Sequence, residues 1–185
     1  MRRANILTGA IAVAVAAAPA FAAAARSGPN GPTHVAVIDD AADGAALPGR
    51  FEYIGTWQHV RGKFDGRSFG TSTRSTRLGD VAIVRFDGTR IRLYGVRGPS
   101  GGRAGVALDF VSTGAPVDFY APTVTPHSLI YASGTLAPGV HTLSIAVWGL
   151  HDVRARSYYV NIDDAEVDVP SALIGRASAD PPHER

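Results

Sequence analysis

Three groups of residues in this sequence have types and spacings that could do chemistry: scattered acid pairs, a serine framed by glycines, and aromatic rings interleaved with arginine. Asp39 and Asp40 follow the apolar run VAVI, Glu52 lies in the next run, and Asp163 and Asp164 close YYVNIDD. Clustered carboxylate oxygens suit Ca²⁺, which takes about six to eight oxygen ligands. Asp39, Asp40, Glu52, Asp163 and Asp164 therefore make a candidate calcium cluster if the first and last strands are neighbours. Paired carboxylates can also do acid–base work on a glycosidic bond. The plainer reading is turn capping by Asp39 or Asp40 and hydrogen bonding between Asp163 and a neighbouring loop.

Gly66-Arg67-Ser68-Phe69-Gly70 matches G-x-S-x-G. A nucleophile elbow needs a strand-to-helix turn that lifts the serine over a parallel sheet. The following TSTRSTR (71–77) reads instead as an extended polar edge or loop, so no catalytic residue is assigned. Gly98 to Gly105 is glycine-rich but lacks G-K-[ST] and leads into a strand, which makes it a turn between strands and not a phosphate cradle. The histidines are His34, His59, His127, His141, His151 and His183. None form H-x-x-x-H or H-E-x-x-H, so zinc has no supporting pattern.

The aromatic residues carry a different chemistry. Tyr and Trp keep a polar handle that holds many of them near the surface. An exposed ring stacks on the C–H face of a sugar while charged neighbours bond its hydroxyls. Trp57, Tyr94, Tyr120 and Trp148 are the candidate stacking rings. Arg92, Asp118 and His127 are the candidate hydroxyl partners. These choices rest on residue chemistry and expected exposure.

The elements that must position these groups read as strands. VAIVRF (81–86), RIRLYGV (90–96), GVALDF (105–110), HTLSIAVW (141–148) and YYVNIDDAEV (158–167) are rich in β-branched and aromatic residues and bounded by turn formers. Asp87-Gly88 between two runs signals a tight hairpin, and Leu136 to Gly139 marks another turn. Alternation sends Ile91 and Leu93 inward and Arg90, Arg92 and Tyr94 outward. It likewise separates Leu143, Ile145 and Val147 from Thr142, Ser144, Ala146 and Trp148. The fold expected is an all-β jelly-roll sandwich of two antiparallel sheets.

Arg2 and Arg3 precede the apolar run ILTGAIAVAVAAAPAFAAAA, with Ala20-Phe21-Ala22 as an A-x-A cleavage site. That is the pattern of a secretory signal peptide over residues 1–25. A flexible linker is expected over 26–34, the sandwich over 35–169 and a loose tail over 170–185. Removing the leader leaves 16 basic and 16 acidic residues. A neutral domain lacks the field that gathers phosphate backbones, which excludes nucleic acid as the natural partner. With no cysteine in the chain there is no disulfide framework or thiolate chemistry. After cleavage the expectation is a secreted or periplasmic domain with no inserted segment.

The ordered series VAVIDD, FEYIGTWQHV, VAIVRFDGTRIRLYGVRGPSGGRAGVALD, PVDFYAPTVTPHSLIYASGTLAPGVHTLSIAVWGL and YYVNIDDAEV resembles galactose-binding-domain-like modules over residues 35–168. Those modules are β-sandwiches often appended to secreted bacterial glycoside hydrolases as carbohydrate-binding modules. The resemblance implies carbohydrate as partner and a structural calcium near the first and last strands, where Asp39, Asp40, Glu52 and Asp163 are the matching positions. The Glu-x-Glu that opens classical calcium-bearing modules is absent. The function expected is non-catalytic carbohydrate binding. The alternatives are a cell-envelope structural or protein-interaction module and a small secreted glycan hydrolase.

Overall fold

The structure, a computed structural model, describes residues 33–41, 48–62 and 66–171. The expected signal peptide, most of the expected linker and nearly all of the expected tail lie outside the described residues. Twelve strands follow in chain order: β1 (Thr33–Asp39), β2 (Gly49–Ile54), β3 (Gln58–Arg61), β4 (Thr71–Ser75), β5 (Val81–Gly88), β6 (Arg90–Arg97), β7 (Gly102–Leu108), β8 (Val111–Ser112), β9 (Val117–Asp118), β10 (Thr125–Ala132), β11 (Gly139–His151) and β12 (Val160–Pro170). β1 begins at Thr33, which pairs with Pro170, so the ordered domain extends slightly beyond the expected limits at both ends. No helix among the described residues is long and apolar enough to cross a membrane.

The strands form two antiparallel sheets facing each other. Sheet A runs β10-β6-β12-β4-β3, and sheet B runs β2-β5-β11-β7-β8 with β9 also on β7. Inward residues of both sheets make one core, in which Phe86, Ile91, Leu93, Leu143, Ile145 and Ile162 are at most 1% exposed. Each such side chain contributes roughly 1.5–3 kcal/mol by leaving water. The alternation assigned to β6 and β11 from sequence holds residue by residue.

β12 is the centre of sheet A. β6 lies along one side. The other side is divided between β4, opposite Val160–Ile162, and β1, opposite Asp164–Pro170. The strands part at Asp163, whose carbonyl accepts the Asp40 N–H at 3.1 Å. Here β12 also carries an extra residue against β6, since Ile162 pairs with Gly95 and Ala165 with Leu93. Such a bulge bends the strand and re-aims its side chains.

Three sequence expectations are corrected. Asp87-Gly88 closes no hairpin, because β5 belongs to sheet B and β6 to sheet A. Gly88 is required for close approach: a Cβ there would stand 2.5 Å from Val167 Cγ1 and 2.7 Å from the Asp168 carbonyl oxygen. Residues 71–75 are an interior strand between β12 and β3, not an edge. Two of their buried hydroxyls have carboxylate acceptors, with Thr73 Oγ1 donating to Asp40 Oδ2 at 2.5 Å and Ser75 Oγ to Asp80 Oδ2 at 2.6 Å, which makes a polar interior strand tolerable; the Ser72 hydroxyl has no partner. Finally, β7 ends at Leu108, and Asp109-Phe110 form a two-residue turn with φ of 49° and 66°.

Candidate functional site

The outer face of sheet A gathers more of the expected ligand residues than any other described surface. Arg92 and Tyr94 alternate outward on β6, and His127 sits beside them on β10. A register shift between Thr125 and Ser128, with His127 at φ 45°, brings that imidazole onto the phenol. The rings stack with centroids 4.3 Å apart and planes within 3°. Non-glycine residues at positive φ cost on the order of 1–3 kcal/mol and persist where surrounding contacts hold them. Here the stack and an acid hold His127, whose Nε2 is 3.3 Å from Asp164 Oδ1.

β12 supplies the acids. Asp164, Glu166 and Asp168 alternate along its outer face. Tyr94 Oη donates to Glu166 Oε2 at 3.1 Å. Arg92 forms a fork on Asp168, with Nη1 to Oδ1 at 3.0 Å and Nη2 to Oδ2 at 3.2 Å. A bidentate pair of this kind fixes both partners in orientation. The result is a rigid patch of two stacked rings flanked by donors and acceptors. Sequence reasoning missed Glu166 and Asp168, although the period-two spacing of Asp164, Glu166 and Asp168 was there to find them.

Behind this patch lies an acidic fork where β1, β4 and β12 meet. Asp40, Asp163 and Asp164 are each at most 2% exposed. Thr71 Oγ1 is shared between Asp40 Oδ1 at 2.7 Å and Asp39 Oδ1 at 3.0 Å. The Ser68 N–H donates to Asp163 Oδ1 at 2.9 Å. Burial raises the Asp40 carboxyl to about 6 against the opposing Thr73 and Thr71 hydroxyls. Burial raises Asp163 to about 7 against the Ser68 N–H, with Asp164 adding to the rise. Burial also raises Asp164, with the Ser68 hydroxyl and His127 opposing. Asp163 Oδ2 has no hydrogen-bond partner, and Asp164 Oδ1 has only the His127 ring beside it at 3.3 Å. Ser68 thus serves the acids as a donor. It sits in a single 3₁₀ turn leading into β4, which is not a nucleophile elbow.

The remaining candidates lie elsewhere. Glu52 is on the outer face of sheet B, bonded to Arg50 at 2.7 Å, and stands apart from Asp39, Asp40 and Asp163. Trp57 donates its indole N–H to the Ile54 carbonyl at 3.1 Å and packs 5.2 Å from the Tyr53 ring. Asp118 accepts from Arg103 at 2.9 Å and from the Tyr120 N–H at 2.9 Å, while the Arg154 guanidinium covers the Tyr120 ring at 4.8 Å. Trp148 is on the outer face of sheet B, 37% exposed. The seven ligand candidates therefore do not form one site; Arg92, Tyr94 and His127 do. A cleft of about 280 Å³ opens at one margin of the sandwich beside the acidic fork, lined by Phe51, Tyr53, His59, Arg61, Asp40 and Thr71 among others.

Three solved structures are similar to this chain over part of its length. The chain is similar to part of a Paenibacillus xanthan lyase, at 12% identity and a TM-score of 0.49 over 65% of this chain and 12% of that one. It is also similar to part of a Paenibacillus cycloisomaltooligosaccharide glucanotransferase complexed with cycloisomaltoheptaose, at 14% identity and a TM-score of 0.47 over 75% of this chain and 18% of that one. A third is the CBM36-1 domain of a multidomain xylanase from the hindgut metagenome of Trinervitermes trinervoides, at 11% identity and a TM-score of 0.43 over 72% of this chain and 95% of that domain. The chain thus spans a small part of the two enzymes and nearly the length of the xylanase's module. At these identities the likeness is one of fold. No family model matches the sequence, and no curated protein matches it at a significant level.

Proposed function

We propose that the protein is a secreted, non-catalytic carbohydrate-binding module whose ligand lies on the outer face of sheet A. The Tyr94–His127 stack carries this reading. Its rings offer a flat apolar surface, and Arg92, Glu166 and Asp168 beside it are held in fixed orientations to exchange hydrogen bonds with hydroxyls. A site of few, well-placed polar groups around aromatic surface is the usual make-up of a small-ligand site. A single such patch binds weakly, since little area is buried and hydroxyl desolvation offsets much of the gain. Asp163 and Asp164 favour a structural role over hydrolysis: they are adjacent residues in one bulge, not groups facing each other across a scissile bond.

The test is a glycan and polysaccharide array with folded protein. Tyr94→Ala and His127→Ala should each lower affinity about tenfold, or ~1.4 kcal/mol, while Asp118→Ala leaves it unchanged. Affinity unchanged by both ring substitutions would remove the site from this face. Silence of folded wild-type protein across the array would favour the envelope protein-interaction reading.

The same proposal places a structural calcium at the acidic fork, with Asp39, Asp40 and Asp163 as ligands and without Glu52. Buried carboxylates and the unpartnered Asp163 Oδ2 suit a cation in charge and burial. No three acidic or imidazole groups converge on one point among the described residues, so side chains must shift on binding. Calcium should raise the melting temperature and EDTA should lower it. A melt indifferent to both would remove the ion.

A further inference from the structure

We propose that the outer face of sheet B around Trp148 is a second sugar-stacking platform, back to back with the Tyr94–His127 face, so that one domain bridges two neutral polysaccharide strands. This rests on the carbohydrate-binding reading above.

The seat of the indole is the first observation. Trp148 alternates outward on β11, and its ring lies over Gly105 of β7. A Cβ on Gly105 would stand 2.3 Å from the indole Nε1 and 2.5 Å from Cε2. The glycine leaves a recess that lets the ring lie down against the strand instead of standing off it. Its 37% exposure leaves surface for a ligand, and among the described residues no protein acceptor takes its N–H.

The floor around the ring is the second. Ala146 pairs with Gly105, and Ser144 pairs with Ala107 at the next outward position. On the β7 side the floor is small and carries no ionised group, and on the other side of β11 it is bordered by the apolar Val81 and Ile83 of β5. At its rim Arg103 pairs with Asp118 at 2.9 Å, and Glu52 serves both Arg50 at 2.7 Å and Arg85 at 3.9 Å. The floor itself offers an ionic ligand no counter-charge. A pyranose chain can place one C–H face on the indole, lay its neighbour flush on the small residues, and direct hydroxyls to the indole N–H and Ser144 Oγ.

Geometry makes the two platforms independent. The outer faces of packed sheets point in opposite directions, with about 10 Å between the sheets themselves. An extended glycan lying on one face does not reach the other. Two occupied faces therefore join two strands and add avidity without new contacts.

Trp57→Phe leaves Trp148 as the sole tryptophan, because the chain has 2. The probes are soluble xylan, galactomannan and β-1,3-galactan. The expected result is a ligand-dependent change in Trp148 emission. Wild-type protein should also aggregate the bound polysaccharide by light scattering, and Trp148→Ala should lower this at least tenfold while the Tyr94–His127 face still retards migration in affinity gels. Gly105→Ala, which lifts the ring from its seat but keeps it, should reproduce the loss. Unchanged aggregation in both variants, with silent Trp148 emission while the protein still binds, overturns this inference and leaves the first face standing. Failure of folded wild-type protein to bind any of the three overturns the carbohydrate reading, and this inference with it.

Discussion

Outward positions along β12 of sheet A hold Asp164, Glu166 and Asp168, and those along β6 hold Arg90, Arg92 and Tyr94. Outward positions along β11 of sheet B hold Thr142, Ser144, Ala146 and Trp148, beside Gly105 and Ala107 of β7. Alternation built both faces in the same way, yet they organise a surface by opposite means. On sheet A, long side chains hold one another: Arg92 forks Asp168, Tyr94 bonds Glu166, and His127 stacks on Tyr94 and meets Asp164. On sheet B, small residues leave room for one large ring to lie flat. The first face sets hydrogen-bond geometry in advance and should be selective. The second offers mainly area and should be tolerant.

The largest effect expected from this contrast is a pH dependence that belongs to sheet A. Asp163 at about 7 and Asp40 at about 6 stand above their ordinary value of 3.8. In the folded state they hold protons that the unfolded chain releases. Stability is therefore greatest below about pH 4 for this contribution and falls as pH rises through about 7. Each unit of difference is about 1.4 kcal/mol, so the loss is on the order of several kcal/mol. Urea melts in EDTA at pH 4.5 and 7.5 measure it, and Asp163→Asn should flatten the slope. Calcium held at the fork should flatten it too. A wild-type stability that is level or rising over that window would mean the acids are already compensated, and the account of the fork would be wrong.

A smaller effect probes sheet B. Asp109 and Phe110 both have positive φ in the turn joining β7 to β8, and the Phe110 ring is 86% exposed. Glycine adopts that conformation without the steric cost a phenylalanine carries. Phe110→Gly should stabilise the domain by about 1 kcal/mol in chemical melts. Destabilisation would show that the exposed ring makes a contact that outweighs its backbone strain.

The smallest compares two arginines directly. Arg92 grips Asp168 in a half-buried fork, whereas Arg50 reaches Glu52 from a side chain that is half exposed. Arg92→Gln should cost about 1 kcal/mol and Arg50→Gln less than about 0.5 kcal/mol, since exposed pairs contribute little. Equal costs would erase the distinction between a self-supporting face and a passive one.

What was legible in the sequence follows from the range of the forces involved. Alternation is local, so the inward and outward residues of β6 and β11 could be read directly. The nearness of the first and last strands was also legible, as a property of the resembling fold, and β1 does pair with β12. Sheet membership was not: Asp87-Gly88 has the same local signature whether the chain reverses into a hairpin or crosses to the other sheet. Only the approach of Val167 and Asp168 distinguishes the two. β4 was hidden for a related reason. Thr71, Thr73 and Ser75 look like surface until Asp40 and Asp80 arrive from distant positions to accept their hydroxyls. The candidate ligand residues were chosen by type, and type does not report which sheet a residue faces, so Trp57, Asp118, Tyr120 and Trp148 dispersed while Arg92, Tyr94 and His127 met.

The central place of β12 bears on the order in which this protein can come into being. Among the described residues β1 has no hydrogen-bonded strand neighbour except β12, and β4 and β6 both lean on it. A ribosome delivers the chain from β1 onward, so until residues 160–170 emerge sheet A is a set of separated pieces around a missing middle. Closure waits for those residues, and the contacts that complete it join residues far apart in the chain, which makes folding slow. A slow, late-closing chain stays threadable for longer, as a polypeptide must be if it is to pass through a membrane channel before it folds.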